Sequence, residues 1–191
     1  MNSGTEEKRL FLGLPLALRF EEAFAGILSG LKQGTEGVRW VEPGQIHVTL
    51  HFFGRVPPDR LSEIHECARE VCARNSPLSL GTGGLGFFPE AQNPRVIWLA
   101  VTGETDRLVL LQEQLETVLA LRGFEVECRP FHAHATLGRI KNPRQFRMRG
   151  EQDLRPVSPQ HFDALALYQS VLLPQGSRYE ILETYPFAKQ P

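Results

Sequence analysis

What this chain has little of narrows its class before any motif is read. Only three cysteines, Cys67, Cys72 and Cys128, occur in 191 residues. Odd in number and without C-x-x-C spacing, they read as reduced thiols, not as a disulfide frame or a zinc knuckle. That usage leads us to expect a cytoplasmic protein. No stretch approaches the roughly 18 continuous apolar residues of a membrane span, so no membrane partner is expected. Met1 to Arg9 is polar and charged, with no basic segment running into an apolar one, and does not read as a secretory leader. An excess of one charge sign is also missing: 21 basic and 22 acidic residues leave a net charge of −1. A global pull toward polyanions is thereby excluded, and any such contact must rest on a local basic patch. Low-complexity linkers are absent. What remains is 41% hydrophobic and 23% charged, the composition of a globular chain long enough to bury most of its apolar surface without staples.

Against this plain background two strings nearly repeat each other: His47-Val48-Thr49-Leu50 and, 87 positions later, His134-Ala135-Thr136-Leu137. On a strand, side chains at i and i+2 share a face, so each string presents an imidazole and a hydroxyl together. Given a histidine, a threonine two positions on followed by leucine arises by chance about once in 200. A matched pair among six histidines is much rarer. Two such strands facing one cavity would offer two imidazoles and two hydroxyls, enough for acid–base work on a phosphate ester without a metal.

The surrounding pattern alternates strands and helices. Arg9 to Pro15 reads as a buried strand and Leu16 to Leu31 as a helix, its apolar residues near helical spacing. Val38 to Val41 and Ile46 to Phe53 read as strands, the latter holding the first motif, and Leu61 to Ala73 as an amphipathic helix. Strands follow at Leu78 to Leu80, Leu85 to Phe88 and Arg95 to Val101. Asp106 to Leu121 is the clearest helix, with Gly123 as its stop. Phe131 to Ile140 carries the second motif, Lys141 to Val157 reads as a basic, proline-bearing loop, and His161 to Leu173 and Arg178 to Thr184 close the chain as strands. The mixture favours an α+β fold, antiparallel sheets lined by outer helices, with a duplicated architecture suggested by the order of elements.

With both motifs placed on strands, the chain resembles the two-histidine (2H) phosphoesterases, specifically the RNA 2′,3′-cyclic phosphodiesterases of the LigT/ThpR type, first named 2′-5′ RNA ligases. The likeness is carried by Arg9-Leu10-Phe11, Trp40, His47 through Gly54, Phe88-Pro89, Pro94 through Trp98, Phe131 through Arg139, Tyr168-Gln169-Ser170, and Gly176 with Tyr179. There are departures: Ala133 stands where the family often has proline, and Leu12 where an aromatic often helps line the cleft. The resemblance implies a single domain, residues 1–191, of two intimately packed lobes about a pseudo-two-fold axis, each giving one motif to a central cleft. It implies hydrolysis of RNA-terminal 2′,3′-cyclic phosphate to a 2′-phosphomonoester, without a metal or other cofactor. Run backward, the same chemistry would join RNA ends through a 2′-5′ bond. The expected partners are RNA with a 2′,3′-cyclic phosphate end or a cyclic nucleotide, and the expected state is a monomer.

A cyclic phosphodiester needs an attacking water deprotonated and a leaving ribose oxygen protonated on opposite sides of phosphorus. Histidine, with an ordinary pKa of about 6.5, supplies both states near neutrality. The resemblance assigns His134 as base and His47 as acid, an order that the residues alone leave open. Thr49 and Thr136 can donate to the non-bridging oxygens where charge develops. The resemblance also places Arg139 near the phosphate, although strict alternation puts it on the wrong face of the strand, so its role requires a bulge near Gly138. His51 and His132 share parity with the motif histidines and are candidates, with Lys141, Arg144, Arg147 and Arg149, for flanking RNA contacts. His65 and His161 read as structural, and Trp40 and Trp98 as core. Two rival readings remain. One is a histidine-rich metal-dependent phosphoesterase built on His47, His51, His132 and His134, against which neither motif contains an acidic residue. The other is a non-catalytic RNA- or nucleotide-binding module of the same fold.

Overall fold

In the computed structural model, residues 6–15, 18–148, 154, 156–174 and 176–189 are described. The strands are β1 (Lys8–Leu14), β2 (Thr35–Glu36), β3 (Val38–Trp40), β4 (Val48–Val56), β5 (Leu78–Phe88), β6 (Val96–Gly103), β7 (His134–Ile140), β8 (Arg147–Met148), β9 (Gln160–Phe162), β10 (Ala164–Leu173) and β11 (Gly176–Pro186). The helices are α1 (Leu18–Gly34), α2 (Leu61–Arg74) and α3 (Thr105–Leu121). Nine strands form one sheet in the order β11-β10-β1-β4-β7-β6-β5-β9, with β3 also pairing β7. Its pairs are antiparallel. The fold is therefore α+β, as the sequence pattern indicates.

The sheet reads outward from its middle as two four-strand halves, β4-β1-β10-β11 on one side and β7-β6-β5-β9 on the other. In each half a motif strand lies innermost, next to the strand that precedes it across a helix: β1, α1 and β4 in one, β6, α3 and β7 in the other. The helices cover one face. Phe20, Phe24, Leu28 and Leu31 of α1, Ile64, Val71 and Cys72 of α2, and Leu108, Leu111 and Leu115 of α3 pack there with Leu10, Leu12 and Leu14 of β1. Period-two alternation then turns Phe11 to the opposite face, where it forms a small cluster with Ala166 and Tyr168, against which Tyr179 packs. Leu12 is wholly buried in the helix-side core, so an aromatic at that position would not reach the opposite face.

Several segments differ from the sequence reading, among them His161 to Leu173, which is two strands, β9 and β10, with Asp163 between them. Leu78 to Phe88 is one strand, not two, because the Gly83-Gly84 pair is absorbed as an irregularity in register against β6. The loop after β7 contains β8, which pairs with β2, a two-residue ladder too short to leave a periodic signal. Residues 131–133 precede the second motif strand instead of beginning it.

The irregularities in β4 decide which side chains face which way. Leu12 pairs with His51 and Gly13 with Thr49, so Leu50 is an extra residue on β4. Phe11 pairs with Phe52 and Leu10 with Gly54, so Phe53 is a second one. Each extra residue inverts the alternation beyond it. Leu50 and His51 are consequently both buried, and the expectation that His51 shares a face with His47 is corrected: it points to the helix side. There its Nδ1 lies 2.9 Å from Glu116 Oε1 on α3, and Gln112 Nε2 donates to the same oxygen at 2.9 Å. Phe52, 48% exposed, takes the place facing outward. We expect His51→Ala to lower stability by about 2 kcal/mol, the usual cost of stripping a buried charge-assisted hydrogen bond and its packing. Urea unfolding at pH 7 reads this directly, and a change within about 0.5 kcal/mol, the scale of neutral surface substitutions, would show that the contact to Glu116 contributes nothing.

Candidate active site

The two motif strands meet through one register pair, Val48 opposite Ala135. Both are buried, so the residues flanking them, His47 and Thr49, His134 and Thr136, turn to the open face. Continuing the antiparallel register by one residue each way sets His47 opposite Thr136 and Thr49 opposite His134. The four side chains form a quadrilateral with each imidazole beside the other strand's hydroxyl. The imidazoles sit on its diagonal, where β-carbons on paired strands are about 7–8 Å apart, room for a phosphorus centre between two ring nitrogens.

Each imidazole is fixed in the same way. His47 Nδ1 lies 2.8 Å from the carbonyl of Gln45, and His134 Nδ1 lies 2.7 Å from the carbonyl of His132. A carbonyl only accepts, so Nδ1 carries the hydrogen in both rings and Nε2 is left free. Gln45 is itself held: its Oε1 accepts from the backbone N–H of Tyr179 at 2.5 Å and its Nε2 donates to the Tyr179 carbonyl at 3.2 Å. This two-point clasp ties the segment before the first motif to β11.

The walls are aromatic. Phe11 stacks on His47 with ring centroids 4.6 Å apart, and the Tyr179 edge stands 4.9 Å away. On the other side Phe88 and His134 make a T-shaped contact at 5.0 Å between ring centroids, with Trp98 at 6.0 Å and His132 at 6.3 Å. Gly86 makes this possible, because a β-carbon there would collide with the Trp98 indole, which lies across it. Trp98, read as core from sequence, thus forms part of the histidine's surroundings together with Phe88, whereas Trp40 does pack against the core.

Arg139 reaches the same face through a bulge, the feature expected of the strand near Gly138. Trp98 pairs with Thr136 and Ile97 with Gly138, which makes Leu137 an extra residue on β7. Arg139 is exposed and lines a cleft of about 280 Å³ together with His47, Thr49, Thr136, Phe52 and Arg9. The Arg9 guanidinium lies 4.9 Å from the Phe52 ring centroid. Gly138 also lets β3 approach closely, since a β-carbon there would meet Val38 Cγ1 at 2.6 Å and Trp40 Cε3 at 3.1 Å.

Among the described residues no carboxylate lines this cleft, and its titratable groups act on one another. Burial among the aromatic rings pushes the His47 imidazole from 6.5 down to about 4, the charges of His134 and Arg139 adding to the fall and the Gln45 carbonyl opposing it. His134 is lowered too, by burial first, with His132 and Arg139 adding and the His132 carbonyl opposing. At neutral pH both free Nε2 atoms are therefore unprotonated lone pairs beside a permanent guanidinium. Such a site favours an anion, and a bound anion in turn favours proton uptake by the imidazoles.

The remaining sequence candidates lie elsewhere. His132 is exposed and flanks His134. Lys141 is exposed beyond the end of β7, and Arg144 and Arg147 line a separate, open depression with Glu36 and Gly37. Arg147 Nη1 is spent on the carbonyls of Arg144 and Phe146, and Arg149 lies outside the described residues. His51, one of the four histidines of the metal reading, faces the other side of the sheet. Among the described residues no group of three or more His, Cys, Asp or Glu side chains is arranged to hold a metal ion. Sequence reasoning gave no role to Gln45, Arg9 or Phe52. Nothing in the spacing marks Gln45, and Phe52 becomes visible only once the β4 bulges are known.

The sequence and the fold have parallels among known proteins. The family described as LigT like Phosphoesterase matches the chain twice in tandem, over residues 18–98 and 99–179. A Thermotoga maritima protein named RNA 2′,3′-cyclic phosphodiesterase is 33% identical over 178 residues, 91% of this chain and 92% of its own length. An Archaeoglobus fulgidus protein of the same name is 32% identical over 93% of this chain and 99% of its own length. The crystal structure of a Thermus thermophilus protein superposes with a TM-score of 0.76 at 26% identity, covering 94% of this chain and 97% of that one. The chain belongs to the LigT-like phosphoesterase family. Its fold is also that of Escherichia coli LigT, solved in complex with 3′-AMP, with a TM-score of 0.75 at 23% identity over 95% of this chain and 99% of the other.

The depressed His47 pKa fixes a pH dependence of stability. The folded value lies below the unfolded one, so the unfolded chain binds more protons between them. The contribution is fully present above pH 6.5 and is lost as pH falls toward about 4. Partial exposure of the ring limits the loss to at most roughly 3 kcal/mol. Urea unfolding of wild type and His47→Gln between pH 7.5 and 4 should therefore converge at the acid end, and parallel curves would show that His47 titrates normally.

Proposed function

We propose that this protein hydrolyses RNA-terminal 2′,3′-cyclic phosphate to a 2′-phosphomonoester, by acid–base catalysis with two histidines and no metal. The observation that carries this reading is the quadrilateral of His47, Thr49, His134 and Thr136 across one strand pair, each imidazole anchored through Nδ1 with Nε2 free. The names of the relatives point to the same reaction.

In this mechanism His134 Nε2 takes a proton from water as the water oxygen bonds to phosphorus. The bond from phosphorus to the ribose 3′ oxygen breaks on the far side, and His47 Nε2 delivers a proton to that oxygen. The carbonyls of Gln45 and His132 steady each imidazolium through Nδ1–H, as an oriented acceptor does in acid–base sites. Thr49 and Thr136 donate to the non-bridging oxygens, and Arg139 balances the added charge. With the 5′-hydroxyl of a second RNA attacking phosphorus in place of water, and the ribose 3′ oxygen again leaving with a proton from His47, the same chemistry makes a 2′-5′ bond. We further propose that the chain works as one domain of two lobes and as a monomer. A reducing, cytoplasmic setting fits its three free thiols, two of them buried.

The reading is tested by incubating the protein, in the presence and absence of a chelator, with RNA ending in 2′,3′-cyclic phosphate and locating the product's phosphate. His47→Ala and His134→Ala should each lower turnover by at least roughly 10²-fold, the scale of a general acid or base. Binding without turnover would mark a non-catalytic module, and loss of activity with the chelator a metal enzyme. The pH profiles should separate. Because burial lowers both imidazoles in the free protein, kcat/KM, which reports the free enzyme, should peak below pH 6.5. The kcat profile should peak at higher pH, since bound phosphate raises the imidazoles. Coincident profiles would show that substrate charge does not tune them.

A further inference from the structure

Past Arg139 the cleft opens into a second, larger cavity of about 650 Å³. The two share Val41, Gln45, Arg139, Ser177 and Tyr179, so they are compartments of one trench. The first, about 280 Å³, falls at the small end of ligand sites, which run from roughly 300 to 1,000 Å³. Together they hold more than one nucleotide can fill.

The larger compartment is lined by three arginines, Arg39, Arg139 and Arg178, against a single carboxylate, Glu42. Arg39 on β3 is the direct cross-strand partner of Arg139 on β7, and Arg178 stands on β11. Like charges placed opposite one another on paired strands repel. Among the described residues no carboxylate lies within ion-pair distance of Arg39 or Arg139. Arg178 is only loosely engaged, 3.6 Å from Glu180. The Arg39 side chain also crosses from β3 to the terminal hairpin: its Cδ lies 3.4 Å, and its Nη1 3.8 Å, from where a β-carbon on Gly176 would stand. An opposed, unneutralised pair of guanidiniums at the boundary of two cavities is a site for an anion, and their fork geometry suits a phosphodiester. Leu173, 36% exposed, and Tyr179 add apolar surface beside it.

We propose that the larger compartment is the subsite for the nucleotide preceding the cyclic-phosphate end, and that Arg39 binds the phosphodiester joining the two nucleotides. This rests on the cleft being the place of the cyclic phosphate. Arg139 then faces the reacting phosphate and Arg39 the next one along the strand, which makes Arg39 a specificity residue for RNA strands over single cyclic nucleotides. Arg144 and Arg147, in their separate depression, are not part of this subsite.

The test compares adenosine 2′,3′-cyclic phosphate with a dinucleotide ending in 2′,3′-cyclic phosphate, on wild type, Arg39→Gln and Arg39→Lys. Wild type should favour the dinucleotide in kcat/KM by about 10-fold or more, chiefly through KM, as one charge-assisted hydrogen-bonded contact provides. Arg39→Gln should remove most of that advantage while changing the mononucleotide by less than about 3-fold, and should flatten the salt dependence of dinucleotide binding. Arg39→Lys, which keeps the charge, should restore part of it. Arg39 is exposed, and thermal unfolding of the variants confirms an intact fold. Equal losses on both substrates would assign Arg39 to the reacting phosphate and overturn the subsite. Wild-type hydrolysis of both substrates without preference would also overturn it, leaving the cyclic phosphate reading intact. If wild type hydrolyses neither, that reading fails and the subsite falls with it.

Discussion

The site depends on the contact of Val48 with Ala135, where the two halves of the sheet join. That pair is buried and points to the helix side, and side chains on a strand alternate. Its neighbours on both strands are therefore forced onto the open face, and the antiparallel sense sets each histidine beside the opposite strand's threonine. A slip of one residue in either strand would bury its imidazole and its threonine and expose the core position between them, so the hydrophobic core itself holds the register. The geometry of the reacting groups is in this sense a consequence of core packing, which is far stiffer than any loop could be.

Given that register, the electrostatics follow from what surrounds it. The cleft is lined by the His47 imidazole and two arginines, Arg9 and Arg139, and among the described residues by no carboxylate; His134 stands beside it, near enough for its charge to act on His47. Aromatic burial strips the imidazoles of their protons at rest. A carboxylate partner of the kind that orients histidine in many hydrolases would hold the ring charged before substrate arrives. Here neutral carbonyls orient the rings instead. They fix the tautomer and leave the proton balance open, so in the proposed mechanism the charge needed for acid catalysis enters with the phosphate ligand.

The pairing of His and Thr at i and i+2 is legible from sequence because alternation is the local rule of a strand. Where alternation is broken, legibility ends. One extra residue at Leu50 sends His51 to Glu116 on α3 and brings Phe52 outward. One extra residue at Leu137 brings Arg139 to the cleft, and that case was readable only because Gly138 marks a place where a strand can bulge and the family resemblance gave a reason to look. No such marker stands at Leu50. The α1, α2 and α3 stripes are readable because each spans several turns of one period. The β2–β8 ladder is not, since two residues carry no period. The Gln45 clasp on Tyr179 joins positions 134 residues apart, a distance at which a lone sequence gives no pairing signal.

The two halves are alike in plan and unlike in lining, and the difference has consequences for division of labour. His47 is stacked face to face on Phe11, and its anchoring carbonyl is clasped to β11. His134 has no ring stacked on it, meeting Phe88 and Trp98 in T-shaped contacts, and is anchored on the carbonyl of an exposed residue, His132. The more enclosed imidazole is the one carried down to about 4. A group so reluctant to hold a proton at rest becomes a strong acid once a phosphate anion induces it to take one up, which suits the role proposed for it, delivery to a departing ribose oxygen. The less enclosed imidazole stands nearer to solvent, where an attacking water must come from. A duplicated fold supplies two equivalent positions; it is the C-terminal hairpin, crossing over to close one half only, that makes them chemically distinct.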